Sequence, residues 1–356
     1  MAFLEAQTRI STLSARAYMA TICDNLSAME MLTRVDDHGA RISLADERSF
    51  ADLTATNDGL DVNARSATEQ GLSALKFMLG LQLEKVAASE KPEVVWSGHG
   101  CDLDVLPGLR EMRVRRFADI TPHVRRITLS GDNLARFDSD SIHVRLLFPP
   151  AGLEKPEWPR PGKNGRPSWP ADDRRPAARL YTIRRVNVAD GEMDIDFVLH
   201  EAPGVASDWA KSVKEGDLIG LLGPGGRELA TAQWHLIGGD ETAIPAIARI
   251  LERLPADARG ATFIEVEDER ETQSIPHPEG VSLTWLFRRG QKPGRNTLLA
   301  DALKSVSLPD HRDVFAWLGA EDAIAQTMRS YWRNELGLNR AQHLAVGYWR
   351  LEKESV

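Results

Sequence analysis

The pattern of apolar residues changes character near residue 230, and that change limits what the chain can fold into. From Glu111, short alternating runs at 112–116, 124–130, 142–148, 179–186, 193–199 and 217–222 are divided by turn residues, with no helical stretch among them. Strands joined without crossover helices pair antiparallel, and six of them suit a closed barrel. From Trp234 the rhythm differs: apolar runs at 234–237, 261–267, 281–287 and 314–318 alternate with helical patterns at 243–254, 296–305 and 322–336. Alternating strands and helices predict a parallel sheet with crossover connections. One sheet cannot be both, so the 356 residues make a multidomain protein.

A third unit precedes these two. Tyr18, Ile22 and Leu26 have helical spacing, alternating runs follow at 29–35, 40–44 and 50–54, and Leu72, Leu75, Leu79 and Leu83 mark a closing amphipathic helix. Asp37-His38-Gly39 and Asn57-Asp58-Gly59 are turn signals. The predicted domains are therefore a small α+β unit over 1–90, an antiparallel β-barrel over 109–228 and an α/β parallel-sheet domain over 232–356, with a Gly- and Pro-containing linker at 91–108. Residues 149–176 hold eight of the nineteen prolines, which predicts a long, solvated surface loop. Gly223-Pro224-Gly225-Gly226 reads as an interdomain turn.

Bulk properties exclude several function classes. A net charge of −8 argues against a nucleic-acid partner, and no apolar run reaches membrane-spanning length, so a cytoplasmic monomer is expected. Cys23 and Cys101 are the only cysteines, without the spacing of a disulfide framework, iron–sulfur site or zinc site, so no bound metal is expected.

The chemistry concentrates in Arg179-Leu180-Tyr181-Thr182-Ile183-Arg184-Arg185. Side chains two apart in a strand share a face, so Arg179, Tyr181 and Ile183 point one way and Thr182 and Arg184 the other. A flavin dinucleotide needs such a set: an aromatic ring to pack on, a small hydroxyl near its reactive nitrogen, and cations for its pyrophosphate. Further on, the strand at 234–237 runs through a Gly-containing turn into a helix with Pro245 in its first turn, the usual cradle for a dinucleotide, although G-x-G-x-x-G is absent.

Together, Arg179-x-Tyr181-Thr182-x-Arg184, the Asp196-Phe197-Val198-Leu199-His200 strand, Gly204-x-Ala206-Ser207-x-Trp209, Gly239-Asp240-Glu241-Thr242-Ala243-x-Pro245 and the terminal Tyr348-Trp349-Arg350 resemble the siderophore-interacting protein family. Its members are FAD-dependent ferric-siderophore reductases related to the ferredoxin-reductase superfamily. The resemblance implies a flavin-binding barrel and a nucleotide-binding α/β domain, with FAD as cofactor, NADH, NADPH or ferredoxin as electron donor, and a ferric siderophore as substrate. It implies that Arg179, Tyr181 and Thr182 hold the flavin, with Thr182 as the catalytic hydroxyl. Asp196, Val198 and His200 would line the ribityl and pyrophosphate portion, and Ala206 and Ser207 would give the phosphates a donor pair. Gly239, Asp240, Thr242 and Pro245 would shape the nicotinamide nucleotide site. The first ninety residues are similar to a small domain of uncharacterised function sometimes fused to this family.

Three questions stay open at this stage. Asp240 and Glu241 suit a helix N-terminus but would repel a pyrophosphate, which predicts slow reduction by nicotinamides. Glu265 and Glu267 suit an NAD ribose, whereas Arg288 and Arg289 suit the extra phosphate of NADP. Arg145, Arg288 and Arg350 are candidates for a cationic cluster receiving an anionic siderophore, each weighed against an ordinary surface ion pair. Competing readings are a general flavin or ferredoxin reductase and a non-catalytic siderophore-binding sensor.

Overall fold

The computed structural model describes residues 3–28, 31–44, 48–226, 232–309 and 313–351. The chain forms two compact units: residues 1–109 with 150–176, and residues 110–149 with 177–356.

The first unit is an antiparallel sheet backed by two helices. It comprises β1 (Leu4–Ser11), α1 (Ala15–Ala28), β2 (Leu32–Asp36), β3 (Gly39–Ser43), β4 (Ser49–Ala55), β5 (Gly59–Ser66), α2 (Glu69–Val86) and β6 (Ser97–Gly98), in sheet order β2-β3-β4-β5-β1-β6. Thr68 caps α2 by accepting from the Gly71 N–H, and Leu72, Leu75, Leu79 and Leu83 are buried against the sheet as their spacing predicts. Of the strand expected at 29–35, Met29 and Glu30 lie outside the described residues. The linker expected at 91–108 is a correction: Val94 and Trp96 are buried in the core and β6 pairs with β1, so the fold continues past residue 90.

The proline-rich segment is a second correction. It contains a small hairpin, β10 (Arg160–Pro161) and β11 (Pro167–Ser168), packed with the N-terminal unit. Pro161 and Pro167 face one another in this two-stranded ribbon, where each has a free edge and no neighbouring strand asks for an N–H. Arg174 pairs with Glu157 at 2.8 Å and Arg175 stacks on Trp169, which order the rest of the segment.

The second unit opens with β7 (Leu109–Thr121), β8 (Val124–Ser130) and β9 (His143–Phe148), and continues with β12 (Ala177–Asn187), β13 (Glu192–Val198), α3 (Val205–Ser212) and β14 (Leu218–Gly225). The six strands close an antiparallel barrel in the order β12-β13-β8-β7-β14-β9. Alternation along each strand fills it: Val144, Leu146 and Phe148 of β9 and Ile195 and Phe197 of β13 lie in one buried cluster. The glycine-rich turn expected at 223–226 instead prolongs β14, whose Gly225 pairs with His143 across a bulge.

The α/β part contains β15 (Trp234–Asp240), α4 (Ile244–Arg253), β16 (Arg259–Val266), β17 (Val281–Phe287), α5 (Leu298–Lys304), β18 (Val314–Glu321), α6 (Asp322–Ser330) and β19 (His343–Trp349). Its parallel sheet has the order β17-β16-β15-β18-β19. Helix α4 joins it to the barrel: Arg249 donates to the carbonyl oxygens of Ser139 (2.8 Å) and Ile183, Arg253 pairs with Asp138 and Asp140, and Glu252 pairs with Arg184. Burial and the neighbouring Arg253 pull the Arg249 guanidinium down to about 10. Glu271, itself buried, binds the β7–β8 turn through Thr121 (2.5 Å) and His123 (2.7 Å).

Candidate active site

Strand β12 divides its side chains as its alternation demands. Tyr181 and Ile183 face the barrel interior, where the Tyr181 ring lies 4.6 Å from that of Phe197 and 6.3 Å from Phe148, with Trp209 of α3 completing the cluster. Burial pushes the Tyr181 hydroxyl well above its ordinary pKa. Arg179 stays exposed, its guanidinium donating to the Ala178 carbonyl. On the opposite face Thr182 is buried with its hydroxyl 3.3 Å from His143 Nδ1, and Arg184 is held by Glu252. Leu180 shares the Thr182 face and is 63% exposed, an apolar surface beside Arg145, its partner on β9. Arg145 is exposed as well.

The turn after β13 leads into α3, whose N-cap is Gly204 and whose first N–H groups no side chain caps. Those of Val205, Ala206 and Ser207 have no intrahelical acceptor and form an anion cradle. The Ser207 hydroxyl accepts from the His200 N–H at 3.2 Å and donates to the His200 carbonyl at 3.4 Å, which leaves only its backbone N–H free for a ligand. Asp196 is a correction. Its carboxylate is buried in a two-bond pair with Arg126 (2.7 and 2.8 Å), which leaves Val198 and the exposed His200 as the outward residues of that stretch.

In the α/β part, strand order reverses between β15 and β18, and the crevice outside their carboxyl ends is where such sheets bind ligands. Gly239 lies there opposite Gly319, and a Cβ on it would fall 2.6 Å from that of Ala243, so the backbone approach needs glycine. Pro245 opens α4. The two acids beside it do not behave as their positions suggested. Asp240 is buried and accepts from the Thr242 N–H (3.0 Å), the Thr242 hydroxyl and the Trp349 indole N–H (2.7 Å). Burial, reinforced by Glu241, outweighs those donors and raises its carboxyl to about 7. Glu241 is paired with Arg288 at 2.7 and 2.8 Å. Neither presents a free carboxylate to a pyrophosphate, which removes the expected electrostatic brake on nicotinamides.

Arg288 is likewise corrected. It is 3% exposed and enclosed by Glu241, Glu265 (3.5 Å) and Glu267 (3.7 Å), so it serves as internal counter-charge and cannot meet a substrate. Glu265 is buried behind it and accepts from Asn296, out of reach of a ribose. Arg289 is exposed and paired with Glu269, and Arg350 is exposed and paired with Asp322 at 2.6 Å. Of the three arginines proposed as a cluster, the structure leaves Arg145 and Arg350 on the surface and does not bring them together with Arg288.

One residue escaped the sequence reading. His143, in the same outward row of β9 as Arg145, contacts Thr182 through Nδ1 and the Tyr348 hydroxyl through Nε2 (3.4 Å). Its ring meets Tyr348 edge-on, and burial lowers its pKa. The signal was its position at i−2 from Arg145, with the period of a strand. An exposed cation on the barrel rim, a half-buried aromatic ring and an uncapped helix N-terminus make a donor set that fits FAD. Among the described residues no group of His, Cys, Asp and Glu is arranged to hold a metal ion, and no helix is long and apolar enough to cross a membrane.

Comparison with known proteins agrees with this arrangement. Residues 113–228 match the siderophore-interacting FAD-binding domain and residues 232–352 the siderophore-interacting protein domain; residues 7–97 match a family described as uncharacterized and conserved in bacteria. The ferric vibriobactin reductase of Vibrio cholerae is 32% identical over 240 residues, covering 66% of this chain and 86% of that one. A siderophore utilization protein from T. fusca superimposes with a TM-score of 0.59 at 33% identity, covering 71% of this chain and 98% of that one. For a siderophore-interacting protein from Aeromonas hydrophila the figures are 0.58, 32%, 69% and 100%. The chain belongs to the siderophore-interacting protein family.

Proposed function

We propose that this protein is an FAD-dependent ferric-siderophore reductase. The observation that carries the reading is the convergence, on one closed barrel, of the exposed Arg179, the Tyr181 ring and the uncapped start of α3. Arg179 and the N–H groups of Ala206 and Ser207 would hold the pyrophosphate, the half-buried Tyr181 would meet the flavin by its accessible edge, and Thr182 would present its hydroxyl to the reactive nitrogen. Bound FAD supplies the conversion between a two-electron hydride donor and the one-electron acceptor Fe(III). Siderophore oxygens are hard anionic ligands that prefer the more highly charged ion, so reduction to Fe(II) loosens the metal without breaking the chelator.

The donor is of the nicotinamide class, which the parallel sheet with its crevice supports. A ferredoxin is favoured as a second reading by one contact: Trp349 is bonded to Asp240 at the crevice, where a nicotinamide nucleotide would have to enter.

The test starts from the visible spectrum. The protein is expected to purify yellow, and anaerobic NADH, NADPH or reduced ferredoxin should bleach the flavin band, which a ferric siderophore then restores. Arg179→Ala should weaken FAD binding by roughly 1.5 to 3 kcal/mol, about tenfold to a hundredfold, through loss of a charge-assisted phosphate contact. Equal flavin content after dialysis of variant and parent would remove the assignment of Arg179.

Arg145 is the cation left for the substrate. Arg145→Glu should raise KM for an anionic ferric siderophore, and added salt should do the same to the parent, while a small neutral acceptor is reduced at the parent rate. If both acceptors change in the same proportion at low salt, Arg145 lies outside the substrate site.

A further inference from the structure

Nothing so far gives the N-terminal domain a task, yet it holds a piece of the reductase. Residues 150–176 leave the barrel after β9 and return to it as β12, and between those strands they pack with the N-terminal unit. Among the described residues, the hydrophobic core of that unit contains none from the segment, which therefore attaches outside the core. The attachment is polar. The carbonyl of Lys163 accepts from the Trp96 N–H at 2.9 Å, Glu84 of α2 accepts from the Asn164 amide at 2.8 Å, and the same carboxylate pairs with Arg166.

Gly80 makes the approach possible. On the face of α2 toward the segment, a Cβ there would fall 2.4 Å from the Asn164 carbonyl oxygen. A glycine within a helix costs roughly 0.5–1 kcal/mol relative to alanine, and here it lets a backbone rest directly on the helix. An open cleft lined by Glu84, Glu93, Val95, Lys163 and Ser168 runs along the seam.

We propose that the N-terminal domain is an intramolecular clamp. It grips residues 162–168 and, through that grip, sets how β9 presents Arg145 to the siderophore. This catalytic half rests on the reductase reading above; the grip itself does not. The segment carries its own reporter. Lys155, Arg160, Arg166 and Arg175 are each followed by proline and resist trypsin, which leaves the bonds after Lys163 and Arg174. The Lys163 carbonyl is the one bonded to Trp96.

The test uses the full chain and Gly80→Ala, which favours the helix while displacing the segment; Glu84→Ala removes the polar grip without adding bulk. Both should be cut after Lys163 about tenfold faster than the parent, because cleavage of a transiently open segment tracks the open population. Both should raise KM for a ferric siderophore severalfold, with FAD content and reduction of a neutral acceptor unchanged. Cleavage at the parent rate in both variants overturns the clamp. Faster cleavage with parental siderophore kinetics overturns its catalytic role. If the parent reduces no ferric siderophore, the reductase reading fails, and the cleavage rates alone decide whether the clamp exists.

Discussion

Arg288→Met should cost the α/β domain roughly 3 to 5 kcal/mol of stability, the penalty for removing one partner from a buried ion cluster. The guanidinium is the counter-charge shared by Glu241, Glu265 and Glu267, and Glu265 is only 2% exposed. Without it, the three carboxylates lose their shared cation, and the buried Glu265 keeps only the neutral Asn296 amide. The measurement is urea unfolding followed by tryptophan fluorescence, since Trp317 is buried in this domain. The deficit should shrink as pH is lowered, because a protonated carboxyl needs no counter-charge. A loss below about 1 kcal/mol at pH 8 would place Arg288 among ordinary surface pairs.

The second large effect concerns Asp240. Its carboxyl titrates near 7 in the folded protein against an ordinary 3.8, raised by burial and by Glu241. Between those values the native state keeps a proton that the unfolded chain has given up, so stability falls as pH rises through that window and levels off above it. Integrated over the whole shift, the contribution is on the order of 4 kcal/mol. Asp240→Asn removes the titration. The difference in unfolding free energy between parent and variant should therefore move in the variant's favour from pH 4 to pH 7. A difference independent of pH would mean that Asp240 is ionised throughout, held so by Thr242 and Trp349.

The barrel and the parallel sheet were readable because their periods differ, and all six barrel strands appear where alternation placed them. What failed was edge and exception. Strand β1 escaped notice because its buried positions, Ala6, Thr8 and Ile10, include small and polar residues that blur an apolar alternation. Strand β19 is absent from the expected runs although Ala345 is buried and the strand pairs with β18. Alternation sorts the faces within a single strand, as at 179–184, but does not reach what depends on who faces whom. That Asp196 belongs to Arg126, or that Arg288 belongs to three glutamates, follows from tertiary neighbours distant in sequence, as does the place of His143 between Thr182 and Tyr348.

The excursion of residues 150–176 also orders events during synthesis. The N-terminal core draws on residues up to 101 and can be complete before β9 leaves the ribosome. When the hairpin of β10 and β11 emerges, the surface that receives it is already folded. Closure of the barrel must wait for β14, and β9 must meanwhile find β12 across a long loop. The entropy of closing a flexible loop grows only slowly with its length, but tethering the middle of that loop to a folded neighbour divides one search into two short ones.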